Sequence, residues 1–327
     1  MIDVIEQNLF SLSPKAFRLL LKDKTTNQNL CWATDYYLHL GDGYHPKDYI
    51  TEDLIIGENT KVIQPRILKS QEEKNWRTKN KAEVFTPSWI CNKQNNLIDE
   101  AWFGKKDVFN ITNGEQWSST KEKITFKNKE KGSKRFLEWQ KYVDLKRLEI
   151  TCGEAPYLVS RYDTVTGIEI PVNERIGLLD RKLRIVNENT QSEEDWLKWT
   201  IRAFQASYGY DFQGDNVLIA RENLLYTFID YYQLRFSKEP KVEYINTIAN
   251  ILSWNIWQMD GIKLIVPYSD ILKNSNEENI EDFFDRTVSE NDLNNGSPIY
   301  SVIMDWRENH CIEFREVLNG GRNYGRK

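Results

Sequence analysis

The chain has 327 residues, 40% of them hydrophobic and 13% aromatic, enough to bury a core in one large domain or two ordinary ones. A formal net charge of −5 excludes a protein coated evenly in basic charge. Apolar-leaning runs such as NLLYTFIDYY are broken by Asp and Asn far short of the ~18 residues of a membrane span, and MIDVIEQ lacks the basic-then-apolar order of a signal peptide, so a cytoplasmic location is expected.

In chain order, residues 1–22 place apolar side chains at helical spacing, with Ser13-Pro14 supplying a cap and a first-turn proline. Residues 30–65 read as loop and strand, with a turn at GDGYHP. A basic stretch follows, carrying Lys61, Arg66, Lys69, Lys74, Arg77, Lys79 and Lys81. Residues 88–103 read as a helix capped by Ser88 and ended by Gly104. A second basic run holds Lys121, Lys123, Lys127, Lys129, Lys131, Lys134 and Arg135, while residues 277–292 are acidic. Basic segments on an acidic chain suit a polyanion such as DNA, or are simply solvated loops.

From Leu145 the pattern changes. RLEIT reads as a strand and GLLDRKLRIV as a second strand-like run. Ser192 caps a helix, EEDWLKWTIRAFQASY, closed by Gly209, and the strand YGYDF follows. A long helix starts near Gly214-Asp215, and the helix VEYINTIANILSW delivers the chain to NIWQ. Alternating strands and helices predict a parallel, doubly wound sheet, whose loops after RLEIT, YGYDF and NIWQ should share one crevice at the carboxyl ends of the strands. Asp211, ending a strand, can accept the hydroxyls of a ribose; alternatively, Asp211 or Asp215 only caps the helix.

Other chemistries find less support. The four cysteines, Cys31, Cys91, Cys152 and Cys311, form no CxxC, and His39, His45 and His310 are scattered, so the spacing indicates neither a disulfide framework nor a metal site. No PD…(D/E)xK cluster can be placed on one sheet edge, which sets aside an endonuclease. Trp32, Trp76 and Trp89 read as core or interface rather than base-stacking platforms.

Four segments, in order, carry a resemblance. They are Lys81-Ala82-Glu83-Val84-Phe85-Thr86-Pro87, Glu149 through Leu158 (EITCGEAPYL), Gly209-Tyr210-Asp211 through Ala220-Arg221, and Asn255-Ile256 through Asp260. Together they resemble the adenine-specific DNA methyltransferases that use S-adenosylmethionine, the group called restriction endonuclease subunit M. The first looks like that family's FTP motif, implying that Phe85 and Thr86 touch the methionine end of the cofactor. The second is similar to DPACGSGxFL, with Glu149 for the acid and Cys152-Gly153 kept, although Glu154-Ala155-Pro156 stands where the family has SGx. The third has the spacing of GxExDPxAxxxAR and implies a cofactor contact at Asp211. The fourth looks like NIxxGD, whose acid, here Asp260, faces the adenine amino group. Such a loop holds methionine and sugar rather than phosphate, so one close backbone approach at Gly153 serves in place of three glycines.

The resemblance implies an α/β, Rossmann-like S-adenosylmethionine-dependent methyltransferase sheet over residues 81–327, cut short at its C-terminal end, with an N-terminal extension over residues 1–80. It also implies S-adenosyl-L-methionine as cofactor, DNA as partner, and a role in DNA methylation or restriction-modification beside a specificity or restriction subunit. The family's catalytic tetrapeptide, (N/D/S)PP(Y/F/W), is not present as NPPY. Ser297-Pro298-Ile299-Tyr300 is the preferred substitute, with Ser297 accepting from the target amino group and Tyr300 stacking on the flipped base. Val266-Pro267-Tyr268 is a second candidate without the polar acceptor, and GSPIY also reads as a plain turn entering the strand IYSVIMDW. Two functions follow: a DNA adenine N6-methyltransferase or M component, or a catalytically degenerate relative that binds DNA or a partner protein without methylating.

Overall fold

The computed structural model describes residues 6–81, 83–84, 86–126, 137–270 and 297–318. Helices α1 (Glu6–Leu12) and α2 (Pro14–Leu21) divide the first apolar run at Ser13, whose hydroxyl accepts from the Ala16 amide at 3.2 Å and donates to Asn246 at 2.8 Å. Short turns and the four-residue helix α3 (Glu52–Ile55) lead to α4 (Gln71–Lys81) and α5 (Ser88–Phe103). Ser88 begins α5 but its side chain makes no cap; the Asp163 carboxylate accepts the Ser88 amide at 2.7 Å instead. Gly104 closes α5 in the left-handed region, as its sequence position predicts.

A hairpin of β1 (Asn110–Asn113) and β2 (Gln116–Ser119) and the helix α6 (Glu138–Val143) precede the central sheet. Three strands compose that sheet, β3 (Arg147–Glu149), β4 (Ser207–Asp211) and β5 (Ile256–Gln258), in the order β3-β4-β5 and all parallel. Parallel neighbours require crossovers, and helices supply them. Between β3 and β4 run α7 (Leu178–Asn189) and α8 (Glu193–Gln205); between β4 and β5 run α9 (Gly214–Phe236) and α10 (Val242–Asn255). The fold is therefore mixed α/β around a small parallel sheet.

Two expectations from the sequence are corrected here. GLLDRKLRIV is not a strand but lies within the helix α7, where the Asp180 carboxylate accepts the Gly177 amide at 3.2 Å and so closes the helix start. Gly209 does not end a helix; α8 stops at Gln205 and Gly209 sits inside β4, where an added Cβ would lie 3.2 Å from Ile256 and 3.3 Å from Cys152. Ser192 does cap α8, accepting from the Asp195 amide at 3.1 Å.

The Ile256 side of the sheet meets a core shared by α2, α7, α8, α9 and α10, with Trp196, Phe204, Phe228 and Leu252 fully enclosed. On the other side, Tyr208, Tyr210 and Trp257 pack against Ile303 and Phe314, brought there by an antiparallel hairpin of β6 (Val302–Asp305) and β7 (His310–Glu313). Burying one such large apolar side chain contributes about 1.5–3 kcal/mol. Residues 6–80 join the same core through Phe17, Leu20 and Trp32. Their backbone is also fastened to the sheet: the Gln258 side chain, ending β5, accepts from the Cys31 amide at 3.0 Å and donates to its carbonyl at 2.8 Å. Gly214 lies so close to this segment that a Cβ would sit 2.0 Å from the Cys31 carbonyl oxygen.

Candidate functional site

A cleft of 410 Å³ opens at the carboxyl ends of β3 and β4, within the size range of small-molecule sites. Three stretches build it. The end of α4 and the turn before α5 contribute Lys81, Glu83, Val84 and Thr86; the end of β3 and the loop after it contribute Glu149 to Gly153 with Pro156 and Tyr157; the end of β4 and the entry to α9 contribute Asp211 to Gln213 and Asn216.

The loop after β3 takes its shape from carboxylates. Thr151, Gly153 and Ala155 have φ of 46°, 52° and 64°, so left-handed residues alternate along five positions. Gly153 adopts this freely, whereas Thr151 and Ala155 each carry roughly 1–2 kcal/mol of strain. Three bonds offset that strain. The Gly153 amide donates to Asp211 at 2.9 Å, and Glu149 accepts from the amides of Tyr157 at 3.2 Å and Leu158 at 3.0 Å. Glu154 faces away from the cleft, accepting from the Arg66 amide at 2.5 Å and the Tyr162 hydroxyl at 2.7 Å. The sequence EITCGEAPYL is thus a loop wound around two acidic side chains, with one glycine at the tight point.

Electrostatically the wall is rich in acceptors. Burial pushes the Asp211 carboxyl up to about 6, against the pull of the Gly153 and Gln213 amides, and pushes Glu149 up to about 8. Glu83 collects four donors, Arg77 at 3.1 Å, Arg66 at 3.3 Å, Gln213 at 3.1 Å and Asn216 at 3.3 Å. The Asn216 side-chain oxygen is enclosed and has no partner among the described residues. Lys81, the cation among the lining residues, is paired with Asp35 at 2.7 Å.

Behind the wall lies a buried ionic cluster. Arg77, fully enclosed, bridges Glu83 and Asp215; Asp215 also receives the Tyr37 hydroxyl at 2.9 Å and has Lys69 within 3.5 Å. Burial opposes ionisation of Asp215, yet Arg77 and Lys69 together hold its carboxyl below the usual range. This is where the first basic stretch goes. Arg66, Lys69, Arg77 and Lys81 face acids of their own chain and Lys74 donates to the Ile67 carbonyl, leaving Lys61 and Lys79 exposed. Of the second run, Lys121 and Lys123 are exposed, and Lys127 to Arg135 lie outside the described residues, as does the acidic stretch 277–292.

Among the site residues nominated from sequence, Thr86, Glu149, Gly153 and Asp211 converge on this cleft. Thr86 is held there by its carbonyl, which accepts from the Thr164 hydroxyl at 3.1 Å. Phe85 lies outside the described residues. Asp260 stands apart, its side chain accepting the amides of Ile262 at 2.9 Å and Lys263 at 3.0 Å in its own turn. Ser297, Pro298 and Tyr300 do not line the cleft either: Tyr300 bridges to Ile265, and the Arg315 guanidinium covers its ring at 3.5 Å. Tyr268, of the second candidate, packs edge-on against Phe212, a lining residue, with ring centres 5.8 Å apart.

Sequence reasoning did not nominate Glu83, Gln213 and Asn216. A signal existed for the last two: polar residues at the N-cap and in the first turn of a helix that follows a strand lie at the ligand end of that strand. Comparison with protein-family models, with curated proteins and with solved structures gives no match.

Proposed function

We propose that the cleft binds S-adenosylmethionine and that the protein is a DNA adenine N6-methyltransferase, or the M component of a restriction-modification system. One observation carries this reading: Thr86, Glu149, Gly153 and Asp211, drawn from three of the four resembling segments, meet in one cleft at the carboxyl ends of two parallel strands.

The chemistry of the wall supports the choice of ligand. Asp211 and the buried Glu149 line a wall whose single lining cation, Lys81, is already paired with Asp35, an arrangement that offers acceptors to a ligand rich in donors. S-adenosylmethionine has an ammonium group, a sulfonium and ribose hydroxyls. Asp211 accepts two backbone amides, at 2.9 and 3.0 Å, which leaves carboxylate lone pairs for hydroxyl donors. When bound, the cofactor supplies an electrophilic methyl group, and no covalent nucleophile is needed from the protein. Asp211 then fixes the sugar, and Glu149 holds the loop amides in place around Gly153.

Isothermal calorimetry tests the reading. Wild type should bind S-adenosylmethionine, and Asp211→Ala should weaken binding about 100-fold, the effect of losing charge-assisted hydrogen bonds worth ~2.7 kcal/mol in all. Affinity should also depend on pH. Protons held by Asp211 and Glu149 must leave before these groups attract a cation, while the ligand's own ammonium keeps its proton to about 7.7, so binding should tighten several-fold as pH rises from about 5.5 to 7.5. Affinity that is flat or falls over that range would contradict the proposed role of the two acids.

A second reading, a degenerate relative that holds the cofactor or a partner without methylating, is favoured by the position of Ser297 to Tyr300 away from the cleft. Transfer of labelled methyl groups to duplex DNA separates the two. Cofactor binding with no transfer to any duplex, in the presence of partner subunits, selects the second.

A further inference from the structure

One charge in the cleft at the carboxyl ends of β3 and β4 runs against the rest. Glu83, Glu149 and Asp211 line it, and Lys81, at the end of α4, is the only cation among the described residues that do. The Lys81 stem is partly covered and its amino group lies 5.8 Å from the centre of the Trp76 ring, while its side chain stays 23% exposed, so water and solutes reach it. Its acid, Asp35, stands 2.7 Å away, is 46% exposed and does not line the cleft. The bond to Lys81 holds the Asp35 carboxyl below its usual range, so the acid is ionised and the pair is formed. An ion pair this open to water is weakly held, and a lysine amino group has three donors, of which this contact uses one.

A lone accessible cation on an acidic wall fixes which way round a zwitterion lies. S-adenosylmethionine carries one carboxylate beside its ammonium and sulfonium. The acids of the wall disfavour that carboxylate everywhere except at Lys81, where Coulomb attraction reverses sign. Asp211 takes the sugar at the end of β4, and Lys81 belongs to the separate stretch that closes α4, so the two residues hold different ends of one ligand. We propose that Lys81 determines specificity for the amino-acid end of the ligand: its amino group donates to the ligand carboxylate, and Asp35 is the competitor that this carboxylate joins or displaces. The inference rests on the cofactor reading and deepens it. It makes the cleft a site for an adenosyl amino acid rather than for any adenosyl cation.

The test is calorimetry on the full chain with two probes, S-adenosylmethionine and its decarboxylated form, which keeps the adenosine, the sulfonium and the ammonium and lacks only the carboxylate. Wild type should prefer S-adenosylmethionine about tenfold, the effect of one charge-assisted hydrogen bond in a partly open site. Lys81→Met should bring the ratio of the two affinities to about one, and Lys81→Arg should keep most of it. Asp35→Asn, which leaves Lys81 in place and removes its competitor, should widen the ratio about threefold. Asp211→Ala should weaken both probes alike. Equal wild-type affinities for the two probes, a Lys81→Met variant that weakens both by the same factor, or an Asp35→Asn variant that narrows the ratio would overturn the role of Lys81 while leaving the cofactor reading intact. A folded wild type that takes up neither probe would bring down the cofactor reading and this inference together.

Discussion

Arg77→Ala is expected to lower stability by about 3–5 kcal/mol, read as a shift in the urea midpoint at an unchanged slope. The guanidinium is fully enclosed between Glu83 and Asp215, and truncation leaves both carboxylates buried with fewer counter-charges. Lys69, 3.5 Å from Asp215 and 3.6 Å from Glu73, is too far to replace the lost hydrogen bonds. Removing the acid too should recover part of the stability, since in Arg77→Met with Asp215→Asn the buried Lys69 keeps Glu73 and Glu83 keeps Arg66. A loss below about 1 kcal/mol for Arg77→Ala would mean that water enters and screens the cluster.

Glu222→Gln is expected to do the opposite at alkaline pH. Glu222 is wholly enclosed in the middle of α9, with neither carboxyl oxygen partnered among the described residues, and Glu6 at the start of α1 is 1% exposed. Burial, then the neighbouring Glu6, pushes the Glu222 carboxyl well above the ordinary range; burial pushes Glu6 up to about 8. The sign follows from linkage. An unfolded carboxyl releases its proton near 4.5 while the folded pair keeps its protons, so the wild type loses stability as pH rises from there toward the folded values. The amide has no proton to release. Wild type and Glu222→Gln should therefore melt together near pH 4.5 and diverge by on the order of 2 kcal/mol in favour of the variant at pH 8. A variant that is less stable at pH 8 would show that the acid is ionised and paired in the folded protein.

Where the sequence spoke plainly, it did so through local physics. The strands at Arg147–Glu149, Ser207–Asp211 and Ile256–Gln258 were legible because short apolar runs alternate with long helical patterns, and Ser192 and Gly104 marked helix ends through their own backbone demands. Helix α7 was obscured because Arg181 and Lys182 are buried there, which interrupts the apolar stripe that identifies a helix. Lys182 donates to the carbonyls of Leu145 and Ala206, partners 37 and 24 residues away that no local pattern reveals. The pairing of the basic stretch from Lys61 to Lys81 is hidden in part for the same reason, since two of its acids, Asp35 and Asp215, arrive from distant segments. Thr86, Glu149, Gly153 and Asp211 are nominated through the resemblance of their segments, and Asp211 also because it ends a strand. Asp260 and Tyr300 have the right residue types, but the hydrogen bonds and packing that hold them away from the cleft are tertiary.

Titrating S-adenosylmethionine into the purified chain by calorimetry, beside Asp211→Ala, tests the central claim most directly. The account predicts one site per chain in the wild type and about 100-fold weaker binding in the variant. A folded wild-type sample that takes up no S-adenosylmethionine, or a variant that binds it equally well, would contradict the assignment of the cleft.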